Sequence, residues 1–271
     1  MAGIALVISD VDGTLVTSQK RVTARTRAAV AALHARGIRF TVVSSRPPFG
    51  LRMLVESLGI TVPVASFNGG AIASPALQIL NQRSIERDVA REIVAFLDQK
   101  GVGVWLFTGQ EWLTRDLGGA HVSHETITVQ QRPHAVENFD AVIDQAGKIV
   151  GVSDNFAWLE AIEAEARAHF ATRAMAVRSQ RYYLDFVAPG IDKGLAVREL
   201  AETIGVPLTA IVTLGDMEND VPMFHQTGFS IAMGNANDAV KREARETTLT
   251  NDEDGFAAAV ERFILPRATS G

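Results

Sequence analysis

The sequence predicts an α/β fold, in which a doubly wound parallel sheet is interrupted by an inserted α+β domain. Three observations lead to this prediction. Short apolar strands alternate with helices near the start of the chain, the same alternation returns near its end, and the segment between them is richer in strands. Strands that are joined through helices of this length form right-handed crossovers, which place them parallel in one sheet.

The first segment has the pattern of strands that are buried on both faces. The apolar run at 4–8 is short, continuous and bounded by Asp and Gly. The helices that follow the first two strands end at Gly37 and Gly59. Strands are predicted at 4–8, 39–43 and 64–67, and helices at 23–36 and 48–58.

The last segment repeats this order of elements. Asp192 is placed to cap a helix that Gly205 terminates, with Pro207 just beyond. Helices are predicted at 193–204, 221–225 and 238–245, and strands at 210–214 and 229–232.

The middle segment, from about 83 to 187, has a different pattern, which predicts a separate module. All three tryptophans lie in it. Helices are predicted at 86–100 and 155–169, and strands at 102–107, 112–115, 148–153, 174–178 and 182–187. We therefore expect two domains, a core domain at 1–82 plus 188–271 and an inserted domain at 83–187.

The composition is that of an ordinary globular protein. Of the 271 residues, 47% are hydrophobic and 21% are charged, which makes a disordered or fibrous chain an unlikely class. The formal net charge of −5 argues against a broad surface for nucleic acid or for an anionic membrane. The absence of cysteine excludes disulfides, thiolate metal sites and a cysteine nucleophile. With no signal-like start and no apolar run of about 18–20 residues, we expect a cytoplasmic protein.

The strongest local signal is Asp10-Val11-Asp12-Gly13-Thr14, which follows the first predicted strand. In open parallel sheets ligands bind beyond the carboxyl ends of the strands. Two carboxylates this close repel one another unless a cation or a proton lies between them. Gly13 permits a tight reversal that can turn both acids toward one point. A helix cap or an Asx turn explains many single Asp-Gly pairs and is the competing interpretation.

Two further signals point to an anion at the same edge of the sheet. Ser44-Ser45-Arg46 follows the second predicted strand, where hydroxyls and a guanidinium can donate to an anion, although a plain strand-to-helix turn fits as well. Lys193 stands at the start of a helix, where the helix dipole disfavours a cation unless an anion is bound there. A solvated surface lysine is the alternative for Lys193.

Acidic residues also follow the strand at 210–214, in Gly215-Asp216-Met217-Glu218-Asn219-Asp220. Carboxylate oxygens at the carboxyl edge suit Mg²⁺, which typically binds one or two protein carboxylates together with waters and substrate phosphate. Helix capping by Asp216 is the alternative. Four such signals in this order, all at strand ends or at the start of a helix, favour a functional site over four unrelated caps and turns.

Together these motifs resemble those of the haloacid dehalogenase-like phosphatases. DVDGT, the serine after the second strand, the lysine in IDKG and GDMEND match the four motifs of that superfamily. The insertion resembles a C2-type cap, and SFNGGAI and PGIDKG are similar to the Cof-like group, subtype IIB. The resemblance covers almost the whole chain.

The resemblance implies a mechanism and a role for each motif residue. Asp10 is the implied nucleophile that forms an aspartyl-phosphate, and Asp12 the general acid and base. The implied Mg²⁺ ligands are Asp10, the Asp12 backbone carbonyl and Asp216. Phosphate is implied to meet Val11, Ser44, Ser45, Lys193 and Asn219. Asp220 is implied to support Lys193 or the metal shell, and Arg46 and Arg178 are candidate substrate contacts.

The resemblance implies a Mg²⁺-dependent phosphatase of small phosphomonoesters, such as sugar phosphates, nucleotides or pyridoxal phosphate. The inserted domain would act as a cap that excludes water and selects the leaving group. A phosphotransferase or phosphomutase that uses the same aspartate is the first alternative, and a non-enzymatic phosphate-responsive switch is the second. The expected partner is a small phosphorylated metabolite rather than nucleic acid or a membrane, and both a monomer and a dimer stay open.

Overall fold

A computed structural model of the protein describes residues 3–267 and divides the chain into two compact units. The core unit comprises Met1–Ser44, Arg52–Gln78 and Asp192–Gly271, and the inserted unit comprises Ser45–Leu51 and Ile79–Ile191. The predicted insertion, 83–187, falls within the inserted unit. The sequence pattern does not predict that residues 45–51 also belong to that unit. Residues 1, 2 and 268–271 of the predicted core domain lie outside the described residues.

The strands within residues 3–267 are short, and they are numbered in chain order. They are β1 (Leu6–Ser9), β2 (Arg39–Val42), β3 (Val64–Ser66), β4 (Ala71–Ala73), β5 (Ile79–Gln82), β6 (Gly103–Phe107), β7 (Trp112–Thr114), β8 (His134–Ala135), β9 (Lys148–Val152), β10 (Met175–Gln180), β11 (Tyr183–Val187), β12 (Ile211–Gly215), β13 (Phe229–Ala232) and β14 (Glu246–Thr247).

The helices are numbered in the same way. They are α1 (Ala24–Ala35), α2 (Arg52–Leu58), α3 (Arg87–Gln99), α4 (Val122–Val129), α5 (Phe156–Phe170), α6 (Lys193–Ile204), α7 (Val221–Phe224), α8 (Asp238–Glu243) and α9 (Gly255–Ala259). Within residues 3–267, none of the helices is both long enough and apolar enough to cross a membrane.

The core unit is built around a parallel sheet with the strand order β14-β13-β12-β1-β2. Ser9 at the end of β1 pairs with Leu214 of β12 on one side and with Val42 of β2 on the other. This register brings the residues that follow the three strands to one edge of the sheet. The chain leaves β1 for β2 and returns on the other side of β1, so this edge is also a switch point, where ligands bind in such folds.

Helix α6 is the element that carries Lys193, and local signals fix where it begins and ends. The Asp192 side chain accepts a hydrogen bond from the Leu195 backbone N–H at 2.7 Å, and Gly205 closes the helix with a left-handed φ of 72°. Its apolar face contributes to a buried cluster with the side chains of β1, which include Leu6 and Ile8. The predicted bounds of this helix agree with those of the structure, and the α/β fold is confirmed.

The inserted unit contains a second sheet, with the order β10-β11-β9-β6-β7-β8, that is antiparallel except between β7 and β8. Helices α3 and α5 pack against one face of this sheet through a cluster that includes Ile93, Ile149, Ile162 and Phe186. Because side chains alternate along a strand, Lys148 and Asp185 project from the opposite face.

Lys148 and Asp185 form a buried ion pair on that face. The Lys148 Nζ lies 3.3 Å from an Asp185 carboxylate oxygen and donates to the Ser45 carbonyl at 3.1 Å. It also lies 5.0 Å from the centroid of the Phe107 ring. Among residues 3–267 the second carboxylate oxygen of Asp185 has no hydrogen-bond partner. The two opposite charges therefore neutralise each other in a buried position.

Replacing Lys148 by methionine is expected to lower the free energy of unfolding by about 3–5 kcal/mol, because Asp185 would stay buried without a partner. Urea unfolding followed by tryptophan fluorescence measures this directly, since Trp105, Trp112 and Trp158 all lie in the inserted unit.

The matched control is Lys100→Met, which removes an exposed pair with Glu165 and should cost less than about 1 kcal/mol. Adding Asp185→Asn to Lys148→Met removes the stranded charge and should recover most of the loss. A loss in Lys148→Met no larger than that in Lys100→Met would contradict the assignment.

Candidate active site

Asp10 occupies the position where the central strand of the core sheet ends. Its backbone N–H donates to the Leu214 carbonyl at 2.9 Å, which extends the pairing with β12 by one residue, and its side chain is buried. The turn that follows is held by the Val11 carbonyl, which accepts hydrogen bonds from three successive backbone N–H groups, those of Thr14, Leu15 and Val16. Asp10 is therefore fixed by the sheet before it and by a tight turn after it.

Gly13 allows this turn to approach Asp216. Its φ of 92° is strained for other residues, and a Cβ atom at this position would lie 2.3 Å from an Asp216 carboxylate oxygen. The Asp216 carboxylate also accepts from the Thr14 hydroxyl at 3.0 Å and from the Asn235 amide at 3.2 Å. The two acidic motifs thus meet directly, which is the arrangement that the glycine makes possible.

Lys193 links the two motifs through its ammonium group. The buried Nζ donates to Asp10 Oδ1 and to Asp220 Oδ1, both at 2.5 Å. Burial by itself lowers the pKa of Lys193, but the charges of Asp10 and Asp220 and their hydrogen bonds outweigh it, so the pKa lies above its usual value. Lys193 is therefore a fixed positive charge inside the site.

Asp220 has most of its hydrogen-bonding capacity filled by the protein. Besides Lys193, it accepts from the backbone N–H groups of Asp216 and Met217, at 2.8 and 2.9 Å. Its side chain is fully buried. The geometry suits a residue that holds Lys193 and the turn after β12, the supporting role that the sequence predicts.

Asp10, Asp216 and Asp220 form a cluster in which one carboxylate oxygen from each lies within 4.8 Å of the others. Burial raises the pKa of Asp10 to about 7, with the neighbouring acids adding to the shift and Lys193 opposing it. Burial raises the pKa of Asp216 to about 8, with the charges of Asp10 and Asp220 adding to the shift. With all three carboxylates ionised, the cluster would carry more negative charge than Lys193 balances, and its oxygen-only donors fit a hard divalent cation.

Asp12 lies beside the cluster in a more open position, since its side chain is 14% exposed. Lys20, in the left-handed region with a φ of 60°, donates to Asp12 Oδ1 at 2.7 Å. The sequence does not single out Lys20, because nothing in the spacing of eight residues indicates that the chain folds back onto Asp12.

Ser44 and Asn219 are connected through Asn68, a residue to which the sequence analysis gives no role beyond its place in SFNGGAI. The Ser44 carbonyl accepts from the Asn68 backbone N–H at 2.8 Å, and the Asn219 side chain donates to Asn68 Oδ1 at 3.2 Å. Asn68 follows β3, and Asn235 similarly follows β13. The position of Asn235 after a strand of the core sheet is the signal that could have found it, whereas β3, which precedes Asn68, belongs to a separate sheet with β4.

The other predicted residues lie in the inserted unit. The Ser45 carbonyl accepts from Lys148, and the buried Arg46 donates to the Thr128 carbonyl at 3.0 Å. Arg178 forms an ion pair with Glu163 of α5 at 2.7 Å. Both arginines therefore have acceptors within the protein, and their contact with substrate stays a prediction.

The known proteins that are similar to this one match nearly the whole chain. The family model of the haloacid dehalogenase-like hydrolases matches residues 7–260. A putative phosphatase of Haemophilus influenzae is 28% identical over 256 residues, covering 94% of this chain and 96% of that protein. The 5-amino-6-(5-phospho-D-ribitylamino)uracil phosphatase YitU of Bacillus subtilis is 26% identical, covering 96% of this chain and 97% of that protein.

Solved structures show the same architecture. A haloacid dehalogenase-like hydrolase from Bacteroides thetaiotaomicron superimposes with a TM-score of 0.87 at 30% identity, covering 96% of this chain and 99% of that one. The subclass IIB sugar phosphatase BT4131 has the same fold, with a TM-score of 0.83 at 22% identity over 96% of this chain and 98% of its own. The chain belongs to the haloacid dehalogenase-like hydrolases and is a phosphatase of their Cof-like group.

Proposed function

We propose that the protein hydrolyses small phosphomonoesters with Mg²⁺, through an aspartyl-phosphate on Asp10. The observation that carries the proposal is the placement of Asp10: a buried carboxylate at the carboxyl edge of the sheet, held by Lys193 and next to Asp216. A carboxylate fixed in this way can attack phosphorus without first being reoriented.

The proposed reaction has two steps. The Asp10 carboxylate attacks the phosphorus atom, the bond to the ester oxygen breaks, and Asp12 gives its proton to the departing alkoxide. Asp12 then takes a proton from water as that water attacks the phosphorus of the acyl phosphate, which releases inorganic phosphate and restores Asp10. The partial exposure of Asp12 suits a group that exchanges protons in both steps.

The phosphate and the cation would be held by the remaining motif residues. Asp10, Asp216 and the Asp12 backbone carbonyl would bind Mg²⁺, which when bound shields the phosphate from the carboxylates. The phosphate oxygens would accept hydrogen bonds from the hydroxyl, amide, ammonium and backbone N–H groups of the predicted phosphate-binding residues. These are Val11, Ser44, Ser45, Lys193 and Asn219. Lys193 and the backbone donors are already fixed in place, which favours stabilisation of the transferring group.

The proposed substrates are small cytosolic phosphate esters. The name of the YitU relative adds a phosphorylated ribitylamino-uracil to the sugar phosphates, nucleotides and pyridoxal phosphate that the sequence suggests. We assign the choice among them to the inserted domain. The absence of cysteine suits a reducing compartment such as the cytoplasm.

Replacing Asp10 by asparagine is expected to lower kcat by roughly 10³-fold or more, because the variant lacks the nucleophile. The measurement is release of inorganic phosphate from a panel of these esters, with Mg²⁺ and with a chelator. Product analysis of the same reactions distinguishes hydrolysis from transfer to a second hydroxyl.

The matched control is Asp238→Asn, an exposed substitution at the start of α8 that should leave turnover unchanged. Turnover that survives in Asp10→Asn would show that another residue is the nucleophile, and turnover that survives the chelator would contradict the metal dependence.

The free energy of unfolding of the metal-free protein is expected to fall as the pH rises from about 4 to 8. The native pKa values of Asp10 and Asp216, about 7 and about 8, exceed the ordinary value of about 3.9, so the native state binds more protons than the unfolded state across this range. Mg²⁺ competes with those protons, so its stabilising effect should grow over the same range, toward about 2.7 kcal/mol at 100 times its Kd.

Thermal unfolding with chelator and with Mg²⁺, at pH values between 5.5 and 8.5, measures both trends. Asp216→Asn should flatten the pH dependence and remove most of the Mg²⁺ effect, whereas Asp238→Asn should change neither. An equal Mg²⁺ effect at pH 5.5 and at pH 8.5 would contradict the proposed site.

A further inference from the structure

The side chains of Asn68 and Asn219 form an incomplete hydrogen-bonding pair in the core unit. Asn68 is only 5% exposed, and its Oδ1 accepts from Asn219 Nδ2 at 3.2 Å. Among residues 3–267, Asn68 Nδ2 and Asn219 Oδ1 are buried with no hydrogen-bond partner. Rotating both amides would reverse the bond and still leave one donor and one acceptor unpaired.

A pair of buried amides left in this state is unfavourable unless something else completes it. A buried polar group that lacks a hydrogen bond destabilises the folded protein, and native structures contain few such groups. The Asn68 side chain is therefore better explained by a ligand that accepts its N–H groups than by a purely structural role.

The backbone that carries Asn68 is strained in a way that places its side chain. Phe67 and Asn68 both adopt the left-handed region, with φ values of 51° and 57°, which two successive non-glycine residues rarely do. Gly69 follows with a φ of 104°, and a Cβ atom there would lie 2.7 Å from the Asp192 carbonyl. Such strain persists where the surroundings fix it, and it is concentrated at functional sites.

The contacts of Asn68 place it between two residues of the proposed phosphate site. Its backbone N–H donates to the carbonyl of Ser44, and its side chain accepts from Asn219. Ser44 is itself held by β3, since its N–H donates to the Ala65 carbonyl at 3.0 Å. Asn68 is therefore in contact with two residues that the proposed function assigns to the phosphate.

We propose that Asn68 is a further binding residue for the transferring phosphoryl group, to which its side-chain amide donates a hydrogen bond while its carbonyl oxygen orients Asn219. The inference rests on the proposed function, in which Ser44 and Asn219 hold the phosphate. The ligand chemistry is an oxyanion, and inorganic phosphate is its simplest form.

The experiment measures competitive inhibition by inorganic phosphate, together with KM for two unlike esters, in the Mg²⁺-loaded protein. Asn68→Asp keeps the shape and the acceptor for Asn219 but replaces the donor by a negative oxygen. Asn68→Gly removes the side chain and tolerates the left-handed backbone. We expect the phosphate Ki and both KM values to rise by about ten- to a hundredfold in Asn68→Asp, and about tenfold in Asn68→Gly.

The two Asn68 variants distinguish a residue that binds the phosphate from one that only orients Asn219. If Asn68 only oriented Asn219, Asn68→Asp would retain that contact and behave like the wild type, which would overturn the proposal. If it contacted only the leaving group, KM would change for one ester and the phosphate Ki would stay constant, which would also overturn it. The matched control is Asn155→Asp, which adds the same charge at the exposed N-cap of α5 and should leave Ki unchanged.

Two reference variants distinguish this inference from the proposed function. If Ser44→Ala and Asn219→Ala raise the phosphate Ki while both Asn68 variants do not, Asn68 is not a ligand and the proposed site stands. If none of the four changes Ki, the proposed phosphate site itself is wrong. A further measurement uses the wild-type protein. The NMR resonance of the Asn68 side-chain amide, identified by its absence from the spectrum of Asn68→Gly, should shift when phosphate is added. A resonance that does not move would overturn the proposal.

Discussion

The arrangement of the site depends on the ammonium group of Lys193, buried between Asp10 and Asp220. The contact joins three elements that are distant in sequence, namely the start of α6, the end of β1 and the turn after β12. Any of these charges would cost several kcal/mol if buried alone, so each is tolerated only because the others are present. Since α6 begins at Lys193, the cap that Asp192 provides for this helix also fixes the position of the ammonium group.

The same contact separates the roles of the three clustered acids. Asp220 already accepts three hydrogen bonds, from Lys193 and from two backbone N–H groups, so it is a poorer metal ligand than Asp10 or Asp216. Among residues 3–267, Asp10 accepts a hydrogen bond from Lys193 at one oxygen, and Asp216 accepts hydrogen bonds from the Thr14 hydroxyl and the Asn235 amide. These two keep the capacity to bind a cation or a proton, and burial together with the neighbouring acids raises the pKa of both.

Sequence reasoning identifies the residues of the site that follow a strand or begin a helix, and it misses those that join the site through contacts between distant residues. Asp10, Lys193 and Asp216 stand out because each lies at a strand exit or a helix start, and parallel strands bring such ends together. Asn68 carries no comparable signal, since its position depends on a strained turn and on two hydrogen bonds to residues distant in sequence. Helix α4 was missed because its sequence, VSHETITV, is rich in β-branched residues that favour strands.

Charge balance links the cation to the nucleophile in the proposed reaction. When ionised, Asp10, Asp216 and Asp220 carry three negative charges against the single charge of Lys193. Two protons or one divalent cation can neutralise the remaining two charges. Protons would do so by taking the lone pairs that Asp10 needs for attack, whereas a cation would leave a carboxylate oxygen unprotonated. In the proposed reaction, the burial that raises the pKa values of Asp10 and Asp216 is therefore also the property that would make a bound cation necessary for a reactive Asp10.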